Sequence, residues 1–205
     1  MVAPSPLSRR DARVAETRQA LVSAGRALFG ALGFAATSVD DLARHAGVTT
    51  GALYHHFATK ADLFQTVFEL LEAELSERSN EVAREAKGPL DGLKRGFEAF
   101  LDASLEPEIQ HIVLVDAPAV LGIDRYHEID EKYAHAPILA ALRAAAREGS
   151  IDATDLDVLA QLLLGALMQG GMLIARAADQ RRARSAVGKS LRRLLDGLRH
   201  GALNT

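Results

Sequence analysis

The chain has 205 residues, a length that fits one domain, or one large domain with a small one attached. Apolar residues make up 48% and charged residues 25%, enough for a buried core and against a disordered chain, and the lack of cysteine excludes a disulfide framework, a thiolate metal site and a cysteine nucleophile. The net charge of −3 is split unevenly: residues 1–60 hold seven Lys/Arg against four Asp/Glu, residues 61–205 seventeen against twenty-three, a basic head on an acidic body.

Ala, Leu, Arg and Glu dominate, tryptophan is absent and aromatics are 5%, which favours an all-α fold. Met1 to Arg10 is polar and Pro/Ser-rich, without the apolar stretch of a signal peptide, so residues 1–12 read as a flexible arm. From 13 to 60 the pattern is a compact head. Val14, Leu21, Ala24, Leu28 and Leu32 recur at helical spacing until Gly33. Ser38 with Asp41 three residues on opens a short helix that Gly47 closes; Thr49 caps a second that ends near Phe57. Thr59 caps a long helix with Leu63, Phe64, Val67, Phe68, Leu71 and Leu75 on one face, fading at Gly88-Pro89.

Residues 61–205 form the body. Helices are expected around Leu93–Leu101, from Glu106-Pro107 through Val115, from Arg125 to Arg147 with a bend or division at Pro137, from Asp155 to Ala178, and over 181–200. The run at 111–115, HIVLV, is β-branched enough for a strand but has no partner strand. Val158 to Ala175 carries no charge, yet at about 1.5 Å per residue it reaches roughly 27 Å, just short of a bilayer core. It also contains Gln161 and Gln169, so it reads as a bundle or dimer helix of a soluble cytoplasmic protein with no membrane partner.

The stretch from Gly33 to Leu63 is two short helices around a tight turn at Gly47, then a third helix. Its core positions are Val39, Leu42, Ala43, Ala46, Val48, Leu53 and Phe57, and the small alanines let the helices approach closely. This is the helix-turn-helix pattern, whose second helix enters a DNA major groove. That helix opens on Thr49, Thr50, Gly51 and Ala52, small residues that let the backbone near base edges; Thr50 can donate, accept, or offer its methyl to thymine. Tyr54, His55, His56 and Lys60 are phosphate-contact types. Thr37 and Ser38, at the start of the first short helix, are candidate phosphate clamps.

From about Thr17 to Leu63 the string resembles the DNA-binding domain of TetR-type transcriptional regulators. Phe29, Gly33, Phe34, Thr37, Ser38, Val39, Leu42, Ala43, Ala46, Gly47, Val48, Thr49, Gly51, Leu53, Tyr54, His56, Phe57, Lys60 and Leu63 carry the likeness. Thr49 stands where Ser is usual, and either caps a helix. The resemblance implies that Thr50, Gly51 and Ala52 face bases, that Tyr54, His56 and Lys60 hold phosphates with Ser38 helping, and that Arg44 reaches a phosphate too. It also implies that the body is a helical ligand-binding and dimerisation domain, and that the protein is a dimeric repressor released from a palindromic double-stranded operator by a small molecule.

Independently of that likeness, Val187, Leu191, Leu194 and Leu198 make a coiled-coil-like seam. With Leu163 and Leu167 on the apolar helix before it, and Gly165, Gly170 and Gly171 permitting close approach, this points to a four-helix interface in a homodimer. Candidate lining of an effector cavity is Phe97, Phe100, Leu101, Val115, Tyr126, Tyr133, Met168 and Met172, with Asp116, His127 and Gln169 as polar groups. The body histidines and carboxylates lack an HExxH motif or a close His pair, so neither metal nor cofactor is expected. An enzyme is not expected either: ARSAVGKS (183–190) lacks the first glycine and the preceding strand of a phosphate loop, and no nucleophile–base spacing stands out.

Overall fold

The computed structural model of the chain describes residues 9–151 and 155–199. It is all-α, as the composition implies. Helix α1 (Arg9–Leu32) ends where Gly33 takes a left-handed turn, φ +79°, that a β-carbon would resist. Helix α2 (Val39–His45) and helix α3 (Thr50–His56) follow, joined through Gly47 at φ +70°. Helix α4 (Lys60–Arg84) begins on a full capping box: Thr59 Oγ1 accepts from Asp62 N, and the Asp62 carboxylate accepts from Thr59 N. Helix α5 (Pro89–Ala103) starts on a proline that has no amide to leave unpaired.

Beyond α5 the backbone widens twice. A π-helical stretch, Ile109–Asp116, runs straight into α6 (Ala117–Leu121). After Gly122 come α7 (Ile123–Asp130), a π-helical turn (Glu131–His135) and α8 (Ala136–Arg147). Each widening precedes a proline at the second position of the next helix. Pro118 and Pro137 cannot donate, and their rings would clash with the carbonyl four residues back. The preceding amide therefore skips a residue: Ala117 N donates to Ile112 O, and Ala136 N to Glu131 O. The chain thus continues through Pro137 as helix, and the β-branched run at 111–115 is helical too.

The bundle closes with α9 (Leu156–Ala175) and α10 (Gln180–Asp196), both shorter than the sequence pattern implies. Of the expected arm, residues 9–12 belong to α1, and residues 1–8 lie outside the described residues. Long α4 joins the two regions. Its first half supplies Leu63, Phe64 and Val67 to the head, where the rings of Phe29, Phe34 and Phe64 meet at 5.2–5.8 Å between centroids. Its second half packs along α5. The hydrophobic core runs continuously from Leu21 to Leu195.

Candidate nucleic-acid interface and body cavity

In the head, Leu42, Ala43, Leu53 and Phe57 are buried and fix α2 and α3 against the rest. Val48 N donates to Ala43 O at 2.9 Å, a close turn that the small Ala43 allows. The opposite side of α3 is open. Thr49 is exposed and its Oγ1 accepts from Ala52 N at 3.1 Å. Thr50 and Ala52 are half-buried, Gly51 and His55 exposed, and Tyr54 stands 53% exposed. The half-buried His56 ring meets that of His55 edge-on at 5.6 Å. Ser38 is exposed, caps α2 by accepting from Asp41 N at 3.1 Å, and donates to the Asp41 carboxylate. Arg44 is exposed and paired with Asp41.

Two predicted phosphate contacts are turned to internal work. Thr37 is buried, and its hydroxyl donates to Gly33 O at 2.8 Å and Leu28 O at 3.3 Å. Lys60 Nζ donates to Phe34 O and Thr37 O, both at 2.8 Å, and lies 4.0 Å from the centre of the Phe34 ring. Phe34 O also accepts from Thr37 N at 3.3 Å, so Lys60 adds a charged donor to that turn and to the Thr37 carbonyl.

Gly51 has no evident reason inside the molecule. A β-carbon there would meet nothing closer than Thr49 Oγ1 at 3.9 Å. Glycine in a helix costs about 1 kcal/mol against alanine, and no packing contact of the chain accounts for it here.

In the body, a cavity of about 280 Å³ lies among α4, α5, α8, α9 and the turn 131–135. Of the predicted lining, Phe97, Phe100, Tyr133 and Met168 border it. The others are elsewhere. Leu101 is core, Val115 points outward, and Met172 lies outside the lining. Tyr126 stacks on Phe68 at 5.9 Å, and His127 and Gln169 are exposed. The wide turn at 109–116 displaces Val115 and Asp116 from the face that an α-helical register gives them. Asp116 instead accepts a 2.6 Å hydrogen bond from Phe34 N.

The sequence pattern missed the α4 side of the cavity: Glu72, Ser76, Ser79 and Asn80. They fall outside the apolar positions that the sequence marks on this helix, and α5 packs along it. The available signal was Gly92 and Gly96 on α5, where β-carbons would lie 3.4 Å from Ala83 Cβ and 3.5 Å from Ser79 Cβ. Glu72 is only 6% exposed, and burial, then the nearby Asp130 charge, push its carboxyl up to about 8. Burial pushes Asp130 up to about 6 and raises the Tyr126 phenol.

Leu163, Leu167 and Leu191, predicted to meet a second copy, are instead buried in the protomer's own core. Val187 is half-buried and fills the space left by Gly170, where a β-carbon would stand 2.7 Å from Val187 Cγ1. Leu198 packs half-buried on the core. Leu194 alone of the six is exposed, at 56%. On α9, which packs against α10, Val158, Leu162 (67% exposed) and Leu173 are exposed, with Gly165 among them and no atom within 4 Å of where its β-carbon would be. Helix α9 is long and apolar enough to cross a membrane by length and composition, but its other face packs in this core.

Polar ties join head to body. Arg26 on α1 donates to Glu74 on α4 and to both oxygens of Glu108, each at 2.8 Å. His111 Nδ1 lies 2.7 Å from Gly30 O, next to the Asp116–Phe34 bond.

Comparison with known proteins covers both regions. A family model described as bacterial regulatory proteins, tetR family, matches residues 21–67, and one described as a tetracyclin repressor-like C-terminal domain matches residues 90–198. The transcriptional repressor BepR of Brucella suis is 30% identical over 180 residues, 82% of this chain and 83% of that protein. The crystal structure of a TetR-family transcriptional regulator from Pectobacterium atrosepticum superposes with a TM-score of 0.80 at 35% identity, covering 94% of this chain and 98% of that one. The regulator FadR from Bacillus subtilis, solved in complex with stearoyl-CoA, shares the fold at a TM-score of 0.74 and 19% identity, over 89% of this chain and 99% of its own.

Proposed function

Because the chain belongs to the TetR family of transcriptional regulators, we propose that it is a dimeric repressor released from a palindromic operator by a small molecule in the body cavity. The observation that carries the DNA half is the open side of α3. It presents Thr49, Thr50, Gly51 and Ala52 with Tyr54 and His55 beside them, on a helix anchored by buried Leu53 and Phe57. Thr50, Gly51 and Ala52 approach base edges, while Tyr54, His55, His56, Ser38 and Arg44 hold the backbone. Lys60 and Thr37 support this surface from behind by fixing the turn at 33–37.

The second copy docks on Val158, Leu162, Gly165, Leu173 and Leu194, which places two α3 helices for half-sites about 34–36 Å apart. The protein works in the cytoplasm, where its DNA is. An occupant of the cavity touches α4 at Glu72, Ser76 and Ser79, and α4 enters the head core at Leu63, Phe64 and Val67. The Asp116–Phe34 and Arg26–Glu108 bonds make α1 follow the body. The occupant shifts the head spacing only as far as it prefers one of two states over the other.

Selection of bound duplexes from a random pool tests this reading. It expects an inverted repeat; recovery of no sequence preference over scrambled competitor at low salt overturns it.

A further inference from the structure

The cavity is apolar on nearly every side and carries one buried carboxyl with nothing to answer it. Glu72 makes no hydrogen bond or ion pair with any described side chain. Unpartnered buried carboxyls are costly, and a core that keeps one pays for a use outside packing. We propose that the cavity takes an apolar organic amine in its protonated form, with the ammonium seated on the Glu72 carboxylate and the hydrocarbon body against Phe97, Phe100 and Met168. This rests on the reading of the cavity as the effector site.

The surrounding charges select for a cation. Neighbouring segments add acid: Asp130 from α7, with the Tyr126 phenol beside it, and neither bears positive charge. From the turn 131–135, His135 lies between Glu131, 2.9 Å from its Nδ1, and Asp157, and Tyr133 turns its hydroxyl outward to exposed Lys132. His127 on α7 is exposed. The cavity-lining residues of α5, α8 and α9 are uncharged. On α4, Arg78 is engaged by Glu106 and Arg84 by Glu77, and around it Arg26 by Glu74 and Glu108 and Arg125 by Glu69 and Glu128; Lys87, between the lining residues Ala86 and Gly88, is exposed and lies beyond the far end of α4 from Glu72. A carboxylate or phosphate head would therefore meet Glu72 with no cation to hold it, whereas an ammonium meets a carboxylate and the faces of Phe97, Phe100 and Tyr133.

Burial holds Glu72 protonated in the empty cavity at neutral pH, its carboxyl being pushed up to about 8. An ammonium ligand must drive that proton off, so binding releases a proton and tightens as pH rises towards 8. A neutral ligand does neither.

Calorimetry on the full chain without DNA distinguishes the cases, using phenylbutylamine, phenylbutanol and phenylbutanoate as probes. The amine is expected to bind at least about tenfold tighter than the alcohol, and the carboxylate weakest. About one proton should leave per amine at pH 7, read from enthalpies in two buffers, and amine affinity should rise close to tenfold from pH 6 to 7. E72Q should erase the amine preference and the proton release while alcohol binding persists, which shows the cavity still formed. The wild-type pH series stands even where that variant fails to fold. Binding of none of the three, carboxylate or alcohol as tight as amine, or pH-independent amine affinity overturns the proposal. Displacement of selected DNA is measured separately: amine that binds but leaves DNA in place sinks the effector reading and spares the ligand class.

Discussion

Gly51 on α3 and Gly165 on α9 occupy matching situations in very different surroundings. Each sits within a helix, and neither has a protein atom crowding the place of its missing β-carbon. Gly170 and Gly171, one turn and a half further along α9, do: Val187, Leu114 and Ser104 lie 2.7–3.1 Å away. Glycine at 170 and 171 is therefore explained by the protomer, and glycine at 51 and 165 is not; under the proposed function each leaves room for a partner, and the neighbours suit different ones. Around Gly51 they are hydroxyls, a phenol and imidazoles, suited to nucleic acid; around Gly165 they are Val158, Leu162 and Leu173, suited to an identical apolar face.

The largest effect should come from the body face. Leu162→Asp with Leu194→Asp should give folded monomers by sedimentation and weaken operator binding by about 10²–10⁴, because the second half-site contact is no longer intramolecular. An intact dimer would mean that Gly165 does not mark the interface. Leu191→Asp, at a site 4% exposed, should unfold the chain instead of splitting a dimer.

The next sets the buried polar group of the body against the exposed ones of the head. Folded Glu72 keeps its proton to about 8 whereas the usual carboxyl value is 4.5, so between those pH values the folded state binds more protons than the unfolded. Stability should fall by about 2–4 kcal/mol as pH rises through that window and level off above it. Asp130, raised to about 6, acts in the same sense over the lower part. Glu98 and Glu108, held low by arginines, act only below their ordinary range. Urea titrations at pH 5 and 9 read the slope, and E72Q should flatten it; an equal slope in the variant would remove Glu72 as the cause.

Thr50→Ala should cost about 1–3 kcal/mol on the selected operator and relax preference at one or two base positions. Equal loss on random duplex would contradict base reading. The smallest effect is on folding: Gly51→Ala should stabilise the free chain by about 0.5–1 kcal/mol while weakening DNA binding, seen by melting and by titration with duplex. Tighter DNA binding in that variant would separate Gly51 from Gly165 and end the parallel.

Much of the head was legible because its signals are local. Ser38, Thr49 and Thr59 each cap an amide three residues away, and Gly33 and Gly47 take left-handed turns that side chains disfavour. The internal bonds of Lys60 and Thr37 were not legible because their partners lie 4–26 residues off in sequence, and an isolated ammonium or hydroxyl looks the same whether it awaits phosphate or a carbonyl.

The amino-acid order alone determined the helical class, the places where the two short helices of the head start and stop, and the chemistry displayed along α3, since each follows from neighbours within a turn or two. Only tertiary packing decided which leucines of α9 and α10 stay outside, and that α5 would roof over Glu72. A helix apolar on more than one side does not state which side its own chain covers, and a carboxyl on α4 shows no burial until a distant helix removes its water.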